Sequence, residues 1–177
     1  MGAVIRRTTV LIALLALLVP TAARASTTTY GPPYGNGPSG GDTYNRIDRN
    51  GSTGEMSILR YNPVPANGTL GCAGNGGWAT FTLPHTAASD IVSVTLSFRG
   101  AIVDPYSFMS LSVYRDDHFV DTHIERGPIL GDGTIVLEPR TAASGEVTLI
   151  FGLQAGSSCP NVQLARAVFD SVIVVEA

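Results

Sequence analysis

The sequence predicts an all-β protein, built as a two-sheet antiparallel β-sandwich of about eight strands. Apolar and polar residues alternate over short stretches, and Gly, Pro, Asn and Asp lie between those stretches. No stretch has the apolar period of an amphipathic helix. Short strands at this spacing are typical of a sandwich. In chain order the predicted strands are residues 56–61, 78–83, 91–99, 108–115, 118–124, 134–137, 146–154 and 166–175.

Residues 1–25 have the three-part plan of a secretory signal peptide. Arg6 and Arg7 precede an apolar run over residues 10–19, and Ala23-Arg24-Ala25 supplies the small residues that a signal peptidase reads. The run is too short to cross a bilayer, which takes roughly 20 apolar residues, so it does not favour a membrane anchor. We therefore expect cleavage after Ala25, secretion to the extracellular space and no membrane span.

Two segments follow the expected cleavage point. Residues 26–43 consist almost wholly of Gly, Pro, Ser, Thr, Tyr and Asn, a composition that buries little apolar surface and predicts a flexible arm. Residues 44–177 have the length and patterning of one domain, which we expect to be the sandwich.

Three of the predicted strands define the core by their alternation. In strand 78–83 the opposite, outward face carries Trp78 and two threonines. The inward side chains expected from strands 78–83, 91–99 and 146–154 are Ala79, Phe81, Leu83, Val92, Val94, Leu96, Phe98, Val147, Leu149, Phe151 and Leu153.

Strands 108–115 and 118–124 form a predicted hairpin around the two-residue turn Asp116–Asp117. This turn places Val113 opposite Val120 on the buried face, and the two strands then agree about which face is buried. On the outward face the same register pairs Tyr114 with Phe119, Ser112 with Asp121, and Ser110 with His123.

Cys72 and Cys159 are the two cysteines of the chain. In an exported protein a pair of cysteines is more often a structural disulfide than a metal or redox site. A bond that closes a loop of this length is worth about 4 to 5 kcal/mol in the chain-entropy model. We therefore expect one disulfide between them.

The charge of the chain argues against nucleic acid as a partner. Removal of residues 1–25 leaves eight arginines against fourteen acidic residues, a net charge of about −6, and there is no lysine. The remaining arginines are scattered singly, whereas nucleic-acid binding needs a clustered positive field.

Aromatic residues on polar strand faces are the candidate ligand-binding residues. A sugar ring stacks its C–H face on an aromatic ring while neighbouring polar groups bond its hydroxyls. Trp78 lies among threonines, and Tyr114 lies beside Ser112 with Asp121 and His123 across the hairpin, so these five residues are expected to form one patch. The alternative is that Trp78 plugs one end of the sandwich and Tyr114 covers a sheet edge.

The sequence favours no particular catalytic chemistry. Asp121 and His123 share a face and offer at most two metal ligands, while a nucleophile elbow of the Gly-x-Ser-x-Gly type is absent. A pair of glycosidase carboxylates leaves no linear trace, so hydrolysis stays open. Three function classes remain: a module that binds an extracellular glycan, a structural protein of the cell envelope or matrix, and a small secreted hydrolase.

The stretch Val168-Phe169-Asp170-Ser171-Val172 resembles the last strand of jelly-roll carbohydrate-binding modules and galactose-binding-like domains. This resemblance implies a jelly-roll sandwich and sugar binding. It also implies that Asp170 helps to hold a structural calcium ion, although calcium takes six or more oxygen ligands and no compact acidic loop is present to supply them.

Overall fold

The computed structural model describes residues 25–41, 45–60, 76–102, 105–156 and 163–177, and it is all-β. The expected signal peptide up to residue 24 and the two cysteines, Cys72 and Cys159, lie outside these ranges. Eleven strands are described: β1 (Ser26–Tyr30), β2 (Gly35–Gly40), β3 (Asn45–Asn50), β4 (Glu55–Arg60), β5 (Trp78–Ala87), β6 (Ile91–Ile102), β7 (Phe108–Arg115), β8 (His118–Arg126), β9 (Ile129–Leu137), β10 (Gly145–Gln154) and β11 (Gln163–Glu176).

The strands form two antiparallel sheets, as the sequence predicts. One sheet has the order β3-β4-β11-β6-β9, with β1 also paired to β11, and the other has the order β2-β5-β10-β7-β8. β4 pairs with the first half of β11 and β1 with its second half, so both lie along the same side of that long strand. All eight predicted strands are present, and the described part of the chain adds three more. It contains no helix long and apolar enough to cross a membrane.

The prediction of a flexible arm over residues 26–43 is wrong for the two strands that the structure describes there. Ser26–Tyr30 pairs with the end of β11, and Gly35–Gly40 pairs with β5. Between them Tyr34 is buried in the core. The composition of residues 26–43 did not predict these strands, because a strand that pairs along an existing sheet edge is held by backbone hydrogen bonds and needs few apolar side chains of its own.

The core lies between the two sheets and follows the predicted alternation. The inward residues of β5, β7 and β10 are buried, and an aromatic cluster of Tyr34, Phe81, Phe151 and Phe169 joins the sheets with ring centroids 5.0–6.1 Å apart. Val92 is the exception, because an irregularity in the pairing of β6 with the end of β11 exposes it; the preceding isoleucine is buried instead.

The predicted hairpin turn is present, but the register beyond it is different. Asp116 and Asp117 have φ of 50° and 62°, as a two-residue turn between twisted strands requires, and Tyr114 lies opposite Phe119 as expected. A β-bulge then leaves Val120 without a partner. Every later pair is therefore shifted by one residue, which moves each following side chain of β8 to the other face.

Candidate functional site

The outward face of the five-stranded sheet carries a row of four large side chains at one end. Trp78 of β5 lies opposite Gln154 of β10, which lies opposite Phe108 of β7, which in turn lies opposite Arg126 of β8. Opposed residues in an antiparallel sheet point to the same side, so these four side chains form one continuous strip across the sheet.

Trp78 begins β5 on the outward face, as the alternation predicts, and 37% of its surface is exposed. The neighbouring strand approaches the indole closely at Gly40, where an added Cβ would lie 2.9 Å from the ring nitrogen. A glycine at this position therefore leaves room for the ring. Gly40 flanks the indole, and the exposed part of the ring lines a cleft, which suits it for stacking against a ligand.

Tyr106 adds a second exposed ring beside this strip, with 61% of its surface accessible. It lies just before β7, in a loop anchored by the buried Ser107. The Ser107 hydroxyl accepts a hydrogen bond from the backbone N–H of Gly156 at 2.8 Å, and its carbonyl accepts one from Gly127 at 3.0 Å. The exposed phenol is thus carried by a fixed backbone.

Arg126 closes the strip on the edge strand. Its guanidinium carbon lies 5.7 Å from the centroid of the Phe108 ring, within the range of a cation–π contact. Ring and guanidinium are flat groups that hold each other in place, so the charged end is positioned without a carboxylate partner among the described residues.

These side chains surround an open cleft of about 530 Å³. Among the residues that the structure describes, its lining combines aromatic surface, one amide and one guanidinium, and contains no carboxylate. The residues are Gly76, Trp78, Tyr106, Phe108, Arg126, Gln154 and Gly156. Such a lining can stack a flat ring while hydrogen-bonding groups at its rim.

A second hollow, of about 340 Å³, lies on the six-stranded sheet. Its lining is polar and charged and offers no aromatic ring. The residues are Asp48, Arg49, Asn50, Glu55 and Ser57. We take the first cleft as the candidate site because it alone of these two pairs stacking surface with hydrogen-bonding groups.

The structure divides the five residues predicted as one patch. Tyr114 and Ser112 do share the outward face with Trp78, but Tyr114 lies level with Pro84, six residues and about 20 Å along β5. Their groups contact neighbours on β8. The Tyr114 ring packs edge-on against Phe119 at 5.7 Å, and the Ser112 hydroxyl lies 2.8 Å from that of a threonine.

Asp121 and His123 are on the opposite face, because the bulge shifts them there. Asp121 lies opposite Val113 and accepts a hydrogen bond from the backbone N–H of Arg140 at 3.1 Å. His123 approaches Glu125 at 3.5 Å on the same strand. The prediction that these two residues join the serine of β7 is therefore wrong, and they lie away from the cleft.

Sequence reasoning found Trp78 but missed the rest of the cleft. Phe108 carried a usable signal, since it continues the outward alternation of Ser110 and Ser112. Gln154 continues the outward face of β10 in the same way. Arg126 lies two residues beyond the predicted end of its strand, and Tyr106 lies outside any strand.

The surroundings of Asp170 do not fit the expected role of a calcium ligand. Arg99 donates to both of its carboxylate oxygens at 2.8–3.3 Å, and this hydrogen bonding together with the charge of Asp170 raises the pKa of Arg99. A metal ion would have to displace the guanidinium. In the described ranges no three or more His, Cys, Asp or Glu residues lie close enough together to hold a metal ion.

His85, to which the sequence assigned no role, has hydrogen-bond partners at both of its ring nitrogens. Its Nδ1 lies 2.6 Å from the hydroxyl of Tyr30, and its Nε2 lies 3.0 Å from Glu176, whose second oxygen accepts backbone hydrogen bonds from Ala88 and Ser89. An ionised carboxylate only accepts, so in the neutral ring we assign the proton to Nε2, which leaves Nδ1 to accept from the phenol.

This Tyr30–His85–Glu176 cluster ties the two sheets together, since His85 is on β5 while Glu176 and Tyr30 are on β11 and β1. His85 and Glu176 are 5% and 4% exposed. Burial raises the pKa of the Glu176 carboxyl, but the three hydrogen bonds it accepts outweigh burial and hold that pKa below 4.5. Burial and then the charge of Glu176 raise the pKa of Tyr30. The cluster is internally satisfied, which favours a structural role.

Comparison with solved structures finds likenesses to carbohydrate-binding modules. The fold is similar to the CBM36-1 domain of a multidomain xylanase from the hindgut metagenome of Trinervitermes trinervoides, with a TM-score of 0.45, 13% identity, and coverage of 86% of this chain and 98% of that one. It is also similar to CBM86, described as a low-affinity xylan binding module from Roseburia intestinalis, with a TM-score of 0.48, 14% identity, and coverage of 84% and 94%.

A third similar structure is a CBM36 module in complex with calcium and xylotriose, with a TM-score of 0.42 and 13% identity over 83% of this chain. At these TM-scores and identities the likenesses carry no argument about the fold or the ligand of this chain. No family model matches the sequence, and no curated protein matches it.

Proposed function

We propose that this chain is a secreted, non-catalytic module that binds an extracellular glycan in the cleft around Trp78. The observation that carries the proposal is the strip of exposed rings, amide and guanidinium across one end of the five-stranded sheet. Sugars have apolar C–H faces and hydroxyl edges, and this lining offers a partner for each.

Binding accounts for this cleft better than hydrolysis. A glycosidase needs two carboxylates about 5 to 10 Å apart, and the described lining supplies none. A hydroxyl, an imidazole and a carboxylate do meet in the Tyr30–His85–Glu176 cluster, but His85 and Glu176 are buried, Tyr30 is half-buried, and the cluster lies away from the cleft. Affinity without turnover is the expected result.

Secretion and the disulfide belong to the same proposal. The first strand begins at Ser26, the residue after the expected cleavage point. The backbone N–H of Ala155 donates to the carbonyl of Gly77 at 2.8 Å. The described residues nearest in sequence to Cys159 and to Cys72 therefore lie side by side, at the same end of the paired strands β10 and β5. We expect a secreted product that begins at Ser26 and has no free thiol. Measurement of its intact mass without reduction checks both expectations.

The test of the binding proposal compares Trp78→Ala with Tyr114→Ala. Both remove an exposed or half-buried ring from the same sheet face, but only the first ring lines the cleft. Loss of a central aromatic contact of about 2 kcal/mol weakens binding about thirtyfold. We expect this loss for Trp78→Ala and none for Tyr114→Ala, measured by affinity electrophoresis and calorimetry on a panel of plant and microbial polysaccharides.

Thermal unfolding of both variants is the control. Trp78 is partly exposed, so Trp78→Ala should keep a Tm close to that of the parent chain. Failure of the parent chain to bind any glycan of the panel, or equal weakening by the two variants, contradicts the proposed site.

A further inference from the structure

Arg126 differs from the other arginines whose side chains the structure describes. Those six are held by acidic side chains or backbone carbonyls: Arg46 by Asp48, Arg49 by the carbonyls of Gly37 and Thr80, Arg99 by Asp170, Arg115 by Asp116, Arg140 by Asp121 and Arg166 by Glu55. Within the described ranges the Arg126 guanidinium has no ion pair and no side-chain hydrogen bond, and it lies over the ring of Phe108.

The surroundings of Arg126 leave its charge uncompensated. It lines the cleft, and no other lining residue that the structure describes is charged. The chain as a whole is acidic, with a formal net charge of −3 over all 177 residues. A guanidinium that has no ion pair with a described acidic side chain, in a cleft of an acidic protein, is a site for a negatively charged group.

The guanidinium also has the shape that selects one kind of anion. It is planar and presents a fork of N–H donors that matches the two oxygens of a carboxylate. The contact with the Phe108 ring restrains the guanidinium, and Arg126 lines the cleft, where a ligand can reach it. A carboxylate is therefore the group that Arg126 is best prepared to receive.

The position of Arg126 relative to Trp78 sets the size of the ligand. The two residues are separated by three strand spacings, from β5 across β10 and β7 to β8, which is about 14 Å. A ligand that stacks on Trp78 and also reaches Arg126 is longer than one sugar ring. It must run across the strands, past Gln154 and Phe108.

We propose that the ligand is an acidic oligosaccharide whose uronate carboxylate binds Arg126 while another ring of the same chain stacks on Trp78. This inference rests on the proposed function and adds the class of glycan to it. Because the carboxylate bond involves two ionised groups, removing either partner weakens binding about ten- to a hundredfold. Added salt should weaken it as well.

The experiment uses matched acidic and neutral ligands. Oligogalacturonate, oligomannuronate and glucuronoxylan are each titrated by calorimetry before and after methyl esterification, which removes the charge and keeps the sugar skeleton. The variants are Arg126→Gln, and Arg46→Gln as a control in which an arginine of the other sheet is changed.

We expect at least one acidic form to bind about ten- to a hundredfold more tightly than its ester. Arg126→Gln should bring the two to the same affinity, and Arg46→Gln should leave the difference intact. Equal binding of acid and ester by the parent chain, or an unchanged preference in Arg126→Gln, overturns the inference while leaving glycan binding at Trp78 in place. No binding of any form, acidic or neutral, overturns the proposed function itself.

Discussion

The polar and aromatic groups at the two ends of β5 differ in exposure and in hydrogen bonding. At its start Trp78 is partly exposed beside a cleft whose arginine has no acidic partner in the described chain. Near its end His85 is buried, and both of its ring nitrogens have hydrogen-bond partners in Tyr30 and Glu176. We call the end of β5 at Trp78 the uncommitted end and the end at His85 the committed end.

Burial and complete hydrogen bonding mark the structural residues of β5, and exposure without a partner marks its binding residues. A buried polar cluster that satisfies itself has little left to offer a ligand, and breaking it exposes the cost of burying unpaired groups. Groups at the open end cost little to remove from the folded state but are free to bind. Stability should therefore respond at the committed end, and affinity at the uncommitted one.

The largest effect is expected from Glu176→Ala. It leaves three donors unpaired, namely the backbone N–H groups of Ala88 and Ser89 and the His85 Nε2 proton. We expect a loss of about 3 kcal/mol in the free energy of unfolding, measured by urea titration. Glu176→Gln is the matched control, because its amide oxygen can still accept from both backbone groups while His85 changes tautomer; it should lose clearly less.

The same carboxyl predicts how stability depends on acid. Its pKa in the folded state is below the ordinary 4.5, so its stabilisation is complete above pH 4.5 and is lost as the pH falls below that value. Unfolding measured from pH 6 down to about pH 3 should show a steeper loss for the parent chain than for Glu176→Gln. Parallel curves would contradict the assigned role.

The next effect has the opposite sign and concerns Tyr34, which lies between the two ends. Its hydroxyl is buried without a hydrogen-bond partner in the described structure, and burial, with a smaller contribution from Asp170, raises its pKa to about 12. Tyr34→Phe removes this unpaired group and should raise the free energy of unfolding by about 1 kcal/mol.

The alkaline limb provides the check on Tyr34. A folded pKa of about 12 against an ordinary 10.0 means that stability is complete below pH 10 and is lost as the pH rises toward 12. Tyr34→Phe should reduce this loss. A variant less stable than the parent at pH 7 would show that the hydroxyl has a partner after all.

A smaller effect is expected from Tyr30→Phe at the committed end. The change removes one hydrogen bond, the one to His85 Nδ1, and leaves the bond to Glu176 in place. We expect a loss of about 1 kcal/mol by urea unfolding, with glycan affinity unchanged. A change in affinity would mean that the two ends of β5 are coupled.

The smallest effect on stability is expected from Gln154→Ala at the uncommitted end. The side chain is half-buried in the cleft, and no described hydrogen bond depends on it. The free energy of unfolding should change by less than about 0.5 kcal/mol, while affinity for a bound glycan falls about fivefold with the loss of one neutral hydrogen bond. A large loss of stability instead would place Gln154 with the structural residues.

How far the sequence could predict this fold depends on where each strand gets its stability. Strands such as β10 alternate strongly because both sheets bury their inner faces, so their side-chain directions follow from local pattern. β1 and β2 carry almost no pattern, because their partners, β11 and β5, are distant in sequence and supply the edge on which they pair. Local composition holds no record of such a partner.

The candidate site was predictable only in part, for a similar reason. Trp78 was found because its own strand fixes its direction. The face occupied by Asp121 and His123 depends on the β-bulge at Val120, and no residue type in the sequence predicts where this bulge occurs. Arg126 becomes notable only when its missing partner can be compared with the paired arginines, and that comparison requires coordinates.

The place of β11 governs how this sandwich can assemble. It is the last of the eleven strands in chain order, yet it lies inside its sheet, with β1 and β4 along one side and β6 along the other. These three strands therefore lack this neighbour until residues 163–176 join the sheet. Because β11 pairs with segments that are distant in sequence, we expect the folding of this sheet to belong to the slow class set by non-local pairings.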